Sequence, residues 1–385
     1  MRELRIALIG AGFMGKAHSL AYAMAPVAFK LPVQLHRQVV VEVTEELAAA
    51  AARNFGFAEA HTDWRTIVER DDIDIVDIVT PNDSHEPIAV AAADHGKHVL
   101  CEKPLALDAA AAERMWHHAE RAGVVNMVGF NYRHTPAIAY ARQLIAQGQL
   151  GTPYQLRINY LQDWGMSGAQ LVWRFERRRA GSGAIGDIGS HAIDCAEYLM
   201  GPIRRVLGRL ATFTTERALP GGEGQLGTVD VDDAATFLAD FESGATGLFA
   251  ATRHALQRKN QLAFELDAAR GALRFNWDSR DELDVALIDD PEPVSGFRRL
   301  SLGPAHPDPW WPIGGMGSGY LETTANQIRD FIDAIVSGGT ARPNFADGAH
   351  VQQVVDAVIA SARSDAWVDV NSAVAGRGIR GSGCR

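Results

Sequence analysis

The sequence predicts an α/β protein: an N-terminal doubly wound parallel sheet, followed by an α+β domain built on a large, mainly antiparallel open sheet. Three observations predict it. Strand-like apolar runs alternate with helical patterns over the first 130 residues, a glycine-rich turn joins the first run to the first helix, and beyond residue 148 the pattern changes to consecutive strands with hairpin turns. A chain of 385 residues exceeds what one core usually organises. Domains are therefore expected at 1–130 and 131–372, with a flexible tail rich in Gly and Arg at 373–385.

The first strand reads at Arg5–Ile9, the first helix runs to about Met24, the second strand is Gln38–Val43, and an Ala-rich helix reaches Phe55. Residues 25–37 look like an insertion between helix and strand. Ile73–Val79 is a continuous apolar run, as expected of a strand buried on both faces. A helix at His85–His95, a strand at His98–Cys101, a helix at Asp108–Ala122 and a strand at Val124–Phe130 complete the repeated βα units, which imply right-handed crossovers. In the second domain Tyr154–Trp164, Arg205–Thr215, Ala234–Phe241, Thr246–His254, Leu262–Asp267, Ala272–Trp277 and Leu283–Ile288 read as strands. Glu242-Ser243-Gly244 and Ala269-Arg270-Gly271 have the turn chemistry of antiparallel hairpins. A sheet of roughly six strands needs both faces covered. A helix on one face and a second subunit on the other are expected, hence a homo-oligomer, dimer or tetramer.

Hydrophobic residues make up 47% and charged residues 22%, an ordinary globular balance. The formal net charge of −10 argues against a nucleic-acid partner. The one basic run, Arg174–Arg179, is interrupted by Phe175 and Glu176 and reads as a solvated loop. Cys101, Cys195 and Cys384 lie far apart without CxxC spacing, which fits neither disulfides nor a zinc site. With no signal peptide and no apolar span, a cytoplasmic, membrane-independent protein is expected.

Gly10-Ala-Gly12-Phe13-Met14-Gly15 follows a strand and opens a helix, the context that makes GxGxxG a Rossmann dinucleotide-binding signal rather than a chance match. Gly10 permits the tight turn, Gly12 lets backbone approach a pyrophosphate, and Gly15 packs helix on strand. Glu42, ending the second strand, is the acidic residue placed to accept ribose hydroxyls. Val43 beside it offers no charge to a 2′-phosphate, so NAD is expected over NADP.

Thr80-Pro81-Asn82-Asp-Ser-His85 and Gly96-Lys-His-Val-Leu-Cys-Glu102-Lys103-Pro104 end two successive strands. With Gly129-Phe-Asn-Tyr132-Arg133, the stretch Gly183 to His191, Asp233 and Asn326–Phe331, they resemble the signatures of the Gfo/Idh/MocA oxidoreductase family over roughly residues 5–335. Where the family typically carries Asp at the end of the second strand, Glu42 stands here. The resemblance implies a nicotinamide-dependent dehydrogenase acting on a secondary hydroxyl of a sugar or cyclitol. It places Thr80, Pro81, Asn82, His85, Glu102 and Lys103 at the cofactor, with Lys103, Asp187 and His191 as catalytic residues. Similarity to pyranoside-oxidising members implies C3 of the ring as the carbon oxidised.

The residues themselves agree. Ligands of open α/β sheets bind beyond the carboxyl ends of the strands, and Pro104 restricts the backbone that carries Lys103. Asp187 and His191, four apart at the start of a helical pattern, are expected on one helix face. A neutral imidazole suits the base that takes the hydroxyl proton, and a helix N-terminus disfavours imidazolium. Gly181, Gly183, Gly186 and Gly189 suggest backbone shaped for close approach of a ligand. Tyr132, Arg133, Gln162, Trp173 and Arg174 are candidates to line the sugar site, while Trp164 and Trp173 suit core packing equally well. Asp194 is either a substrate ligand or a salt-bridge partner. No spacing calls for a metal. Two other readings are a non-catalytic NAD- or sugar-sensing regulator and an enzyme that cycles tightly held NAD through oxidation, elimination and reduction of glycosides.

Overall fold

The structure, a computed structural model, describes residues 2–166, 168–222 and 224–370. The tail expected at 373–385 lies outside the described residues. The first unit comprises β1 (Arg2–Ile9), α1 (Phe13–Ala28), β2 (Val33–Val41), α2 (Glu45–Phe55), β3 (Glu59–His61), α3 (Trp64–Val68), β4 (Ile75–Ile78), α4 (His85–Asp94), β5 (His98–Cys101), α5 (Ala109–Ala122) and β6 (Asn126–Val128). Its strands form one parallel sheet in the order β3-β2-β1-β4-β5-β6. The order reverses between β1 and β4, so a crevice opens beyond their carboxyl ends, where Gly10 and Thr80 lie.

Local chemistry sets the helix ends. Thr44 caps α2 by accepting the Leu47 amide, Asp108 caps α5 by accepting the Ala111 amide, and Gly56 ends α2 in the left-handed region at φ 71°. The segment expected as an insertion, 25–37, is not a loop between helix and strand. Instead α1 continues to Ala28 and β2 starts at Val33, leaving Phe29–Pro32 as the connection. The extension is held because Ala21, Tyr22 and Ala25 are buried in a core shared with Ile328, Phe331 and Ile332. Those residues belong to a helix from near the carboxyl end, which no local pattern could reveal.

The second unit holds α6 (Pro136–Ala146), β7 (Pro153–Leu161), α7 (Arg177–Ala180), α8 (Ser190–Met200), β8 (Ile203–Ala211), β9 (Glu216–Ala218), β10 (Leu226–Thr228), β11 (Ala234–Phe241) and β12 (Thr246–Thr252). It continues through β13 (Gln261–Ala268), β14 (Gly271–Asn276), β15 (Glu282–Leu287), β16 (Arg298–Ser301), α9 (Tyr320–Ser337), α10 (Phe345–Ser364) and β17 (Val368–Asp369). Nine strands form the sheet, ordered β16-β15-β14-β13-β7-β12-β11-β8-β17, and only β7 and β12 pair in parallel. All seven expected strands are in it. The short edges β16 and β17 widen it beyond the six or so expected, being too brief to carry a readable pattern.

One face of this sheet is packed: Ile158, Phe237, Phe249 and Phe264 share a core with Ile193 and Leu199 of α8 and Val354 and Val358 of α10. The other is open. Leu238 and Leu248 are each 42% exposed there, in register with Leu207 on one side and with Arg157, Glu265, Arg274, Asp284 and Arg299 on the other. Helix α9 crosses back to the first sheet, where its apolar stripe packs on α1 and on Leu4, Ile6 and Leu100.

Candidate active site

The glycine turn behaves as its three positions require. Gly10 sits at φ 97°, where a side chain would be strained. A Cβ on Gly15 would stand 2.8 Å from the Gly10 carbonyl, so α1 packs tightly on the turn, whereas a Cβ on Gly12 would meet nothing within 4 Å. The turn is thus closed toward the protein and open toward the crevice. Helix α1 begins without a side-chain cap or an acidic residue in its first turn, leaving its amide end to an anion. At the end of β2, Glu42 accepts the Ala11 amide at 2.6 Å and the Val43 amide at 3.0 Å, which fixes its carboxylate at the rim of the same crevice. Val43 is 81% exposed and uncharged. An open amide cradle with a carboxylate anchored beside it fits NAD.

Residues at the ends of β4 and β5 shape the rest. Ser84 donates to the Pro81 carbonyl at 2.7 Å and lies 2.6 Å from the Thr80 hydroxyl, whose proton it can accept. Asn82 is buried and donates to the Ala180 carbonyl at 3.0 Å, tying the turn to the second unit. His85 is fully buried, its ring nitrogens 3.1 Å from the Pro104 carbonyl and 3.0 Å from the Thr80 carbonyl. It braces the two strand-end turns against each other. Phe13 is 74% exposed beside Tyr320, whose hydroxyl donates to the Met14 sulfur at 3.4 Å.

Lys103, Asp187 and His191 converge from the two units. The Lys103 ammonium donates to the Asp187 carbonyl at 2.7 Å and to its carboxylate at 3.2 Å. Burial would raise the Asp187 pKa, but Lys103, Arg174 and Arg253 overcome it and hold the carboxyl well below the usual range. Asp187 does not sit in α8 itself. It lies in a π-helical turn, Ile185–Gly189, that runs into α8, and His191 occupies the first turn of that helix. The Asp187 carboxylate faces Lys103 and, at 3.7 Å, Arg253. His191 is 4% exposed, and burial, aided by the Lys103 charge, pushes its imidazole well below 6.5. Its Nδ1 has no hydrogen-bond partner, and Phe130 and Tyr132 pack edge-on to its ring.

Beside His191 runs a polar wall. The Tyr132 and Tyr160 hydroxyls are 2.7 Å apart, and Asn260 donates to Tyr132 at 2.9 Å and accepts from Tyr160 at 2.7 Å. Gln162 donates to Asn260 at 2.7 Å and accepts from the Trp164 indole at 2.7 Å. The Arg174 guanidinium lies 4.3 Å over the half-buried Trp173 ring.

Two family models match the chain: the oxidoreductase family with an NAD-binding Rossmann fold over residues 4–130, and the GFO/IDH/MocA C-terminal domain over residues 138–274. Levoglucosan dehydrogenase from Pseudarthrobacter phenanthrenivorans is 46% identical, across 96% of this chain and 99% of that protein. The chain belongs to the Gfo/Idh/MocA oxidoreductase family. A solved structure of levoglucosan dehydrogenase in complex with NADH and levoglucosan has the same fold, with a TM-score of 0.94 at 46% identity over 96% of this chain and 99% of that one. D-apiose dehydrogenase from Paraburkholderia graminis is 28% identical across 97% of this chain and 91% of that protein. As a member of the Gfo/Idh/MocA family the chain is an NAD-dependent oxidoreductase, in keeping with the residues around Gly12 and Glu42. Among the described residues no helix is long and apolar enough to cross a membrane, and no cluster of three or more His, Cys, Asp or Glu could hold a metal.

Of the two readings of Asp194, the structure shows the salt bridge, with Arg133 as its partner. Arg133 and Asp194 form a buried ion pair with nitrogen–oxygen distances of 2.6 to 2.9 Å; burial lifts the Asp194 pKa to about 6 against the pull of Arg133. The glycines before α8 serve protein rather than ligand packing: a Cβ on Gly183 would stand 1.8 Å from the Asp232 carbonyl, and Gly181, Gly186 and Gly189 are likewise hemmed in by Leu107, Ser182 and Ile185. Asn260, Arg253, Tyr160 and His18 join the site region without having been singled out for a role. Asn260 lies in no motif. Arg253 is fully buried, stacked near Trp164 and Phe175 and donating to the Arg174 and Asp232 carbonyls, a placement that its flanking residues do not signal.

Proposed function

We propose that this enzyme oxidises a ring secondary hydroxyl, at C3, of a pyranose, anhydro sugar or cyclitol to the ketone, with Lys103, Asp187 and His191 as the catalytic set. The convergence of these three side chains at the strand-end crevice carries the reading. The open turn at Gly12 and the Glu42 carboxylate would hold NAD, which when bound would supply the acceptor for the substrate's hydride. His191, kept neutral by burial, takes the hydroxyl proton. Lys103 has three N–H donors and commits two to Asp187, so one remains for the reacting oxygen, where it stabilises alkoxide charge. Asp187, ionised between Lys103 and Arg253, aims that ammonium.

Gln162, Asn260, Tyr132 and Arg174 offer donors and acceptors to the remaining hydroxyls, and Trp173 an apolar face. An alkanol would forgo the additional hydrogen bonds that a polyol can make to this wall. Similarity to levoglucosan dehydrogenase supports an anhydropyranose substrate. The half-apolar open face of the nine-stranded sheet supports a homo-oligomer. The test follows NADH formation with levoglucosan, glucose, methyl glucosides, inositols, glycerol and 2-butanol, and locates the new carbonyl by NMR. A cyclic polyol is expected to be best; 2-butanol or glycerol as best substrate would refute the ring assignment, and a carbonyl at C1 would refute C3 alone.

A further inference from the structure

Beneath the crevice lies a second charged cluster that the reaction does not use. His18, on the second turn of α1, is fully buried, as is Asp77 in the centre of β4, and Glu102 at the end of β5 is 5% exposed. His18 Nδ1 lies 2.8 Å from Asp77 Oδ2, and Nε2 lies 3.3 Å from Glu102 Oε1. The other Glu102 oxygen accepts the Lys103 amide at 3.2 Å. A Cβ on Gly129 would stand 2.4 Å from Glu102 Oε1, so the carboxylate is confined from that side too.

Ionised carboxylates only accept, so a ring with a carboxylate on each nitrogen must donate from both. A neutral tautomer would set a nitrogen lone pair against a charged carboxylate oxygen out of reach of water, a costlier contact than the neutral carbonyl oxygens that flank His85. The other titratable groups near the cluster do not supply the missing charge: Tyr22 on α1, Cys101 on β5 and Tyr320 on α9 have pKa values raised by burial and by these carboxylates, and His85 on α4 is lowered by burial. The Lys103 ammonium is committed to Asp187.

We infer that His18 is a permanently protonated positioning residue: an imidazolium that clamps Glu102, and through the Glu102–Lys103 amide contact sets where the catalytic lysine stands relative to the cofactor helix. The inference rests on the assignment of Lys103 to catalysis. It joins the helix whose uncapped amide end opens on the crevice to the turn that carries the ammonium, through Asp77 as anchor. Loss of the clamp moves Lys103 without removing any group that touches substrate.

The test has two readouts on the full-length enzyme. Selective ¹⁵N-histidine labelling, with His18→Gln to assign the signal, is expected to show both His18 ring nitrogens protonated from pH 6 to pH 9. His18→Gln is expected to lower kcat about tenfold or more while the KM for NAD moves less than about threefold, and adding Asp77→Asn, which removes one stranded charge, is expected to recover part of kcat. A singly protonated ring at pH 8, a kcat within about twofold of the unmodified enzyme, or a loss shared equally by kcat and KM would overturn the inference. Should His18→Gln not fold, the double variant assigns the signal and its kcat is compared with that of Asp77→Asn alone. If the unmodified enzyme oxidises no sugar, the catalytic reading fails, and the ring-nitrogen measurement still decides the protonation of His18.

Discussion

Two histidines within one site region, built from the same residue types, end in opposite charge states. His191 is buried beside one lysine, and both influences lower its pKa, so the ring stays neutral and able to take a proton. His18 is buried as deeply, and burial again acts to lower its pKa, yet Asp77 and Glu102 prevail and raise it to about 10. Burial sets the default, and the number of carboxylates touching the ring decides whether the default holds. The neutral ring has an unpartnered nitrogen and can take a proton; the charged ring has both nitrogens engaged and holds its proton until the pH nears 10.

Removing the reactive member of the pair should have the largest effect. His191→Asn is expected to lower kcat by roughly 10²–10⁴-fold with NAD affinity nearly unchanged, measured by steady-state kinetics and nucleotide titration. Lys103→Ala should follow with a loss of about 10²–10³; near-normal turnover in it would show that the ammonium is structural.

The sealed pair is probed through stability. Because the folded pKa of His18 lies above its unfolded value near 6.5, its contribution is fully present below about pH 6.5 and is lost as pH rises through about 10. Urea midpoints should therefore separate the enzyme from His18→Gln by about 3 kcal/mol or more at pH 6, where two buried carboxylates are left without their counter-charge, and the gap should close above pH 10. A gap independent of pH would mean that packing, not charge, holds the cluster.

The smallest effect concerns the crevice rim. NAD should be preferred to NADP by about tenfold or more, roughly 1.4 kcal/mol, through Glu42, and Glu42→Ala should erase most of that preference. Equal kcat/KM values for the two cofactors before substitution would place the source of specificity elsewhere.

Much of the first sheet was legible because its signals are local: alternating runs and the Gly10–Gly15 turn. The strand-end place of Lys103 was legible for the same reason, being announced by its neighbours Glu102 and Pro104. His18 was not, since its partners stand 59 and 84 residues away and nothing beside it in sequence reports their charge. Asn260 and Arg253 escaped similarly, and the Asp187–His191 spacing of four suggested a face of one α-helix where the chain instead forms a π-helical turn.

Helix α9 has a consequence for synthesis. Its residues Ile328, Phe331 and Ile332 fill the apolar face made by β1, α1 and β5, and Tyr320 reaches Met14 across 306 positions of chain. As the polypeptide leaves the ribosome, the nucleotide-binding sheet emerges first but keeps Leu4, Ile6, Tyr22 and Leu100 uncovered on that side until residue 335 has been made. The enzyme therefore closes its cofactor domain only after most of the second unit has been translated, and a chain cut before α9 is expected to leave that apolar face uncovered.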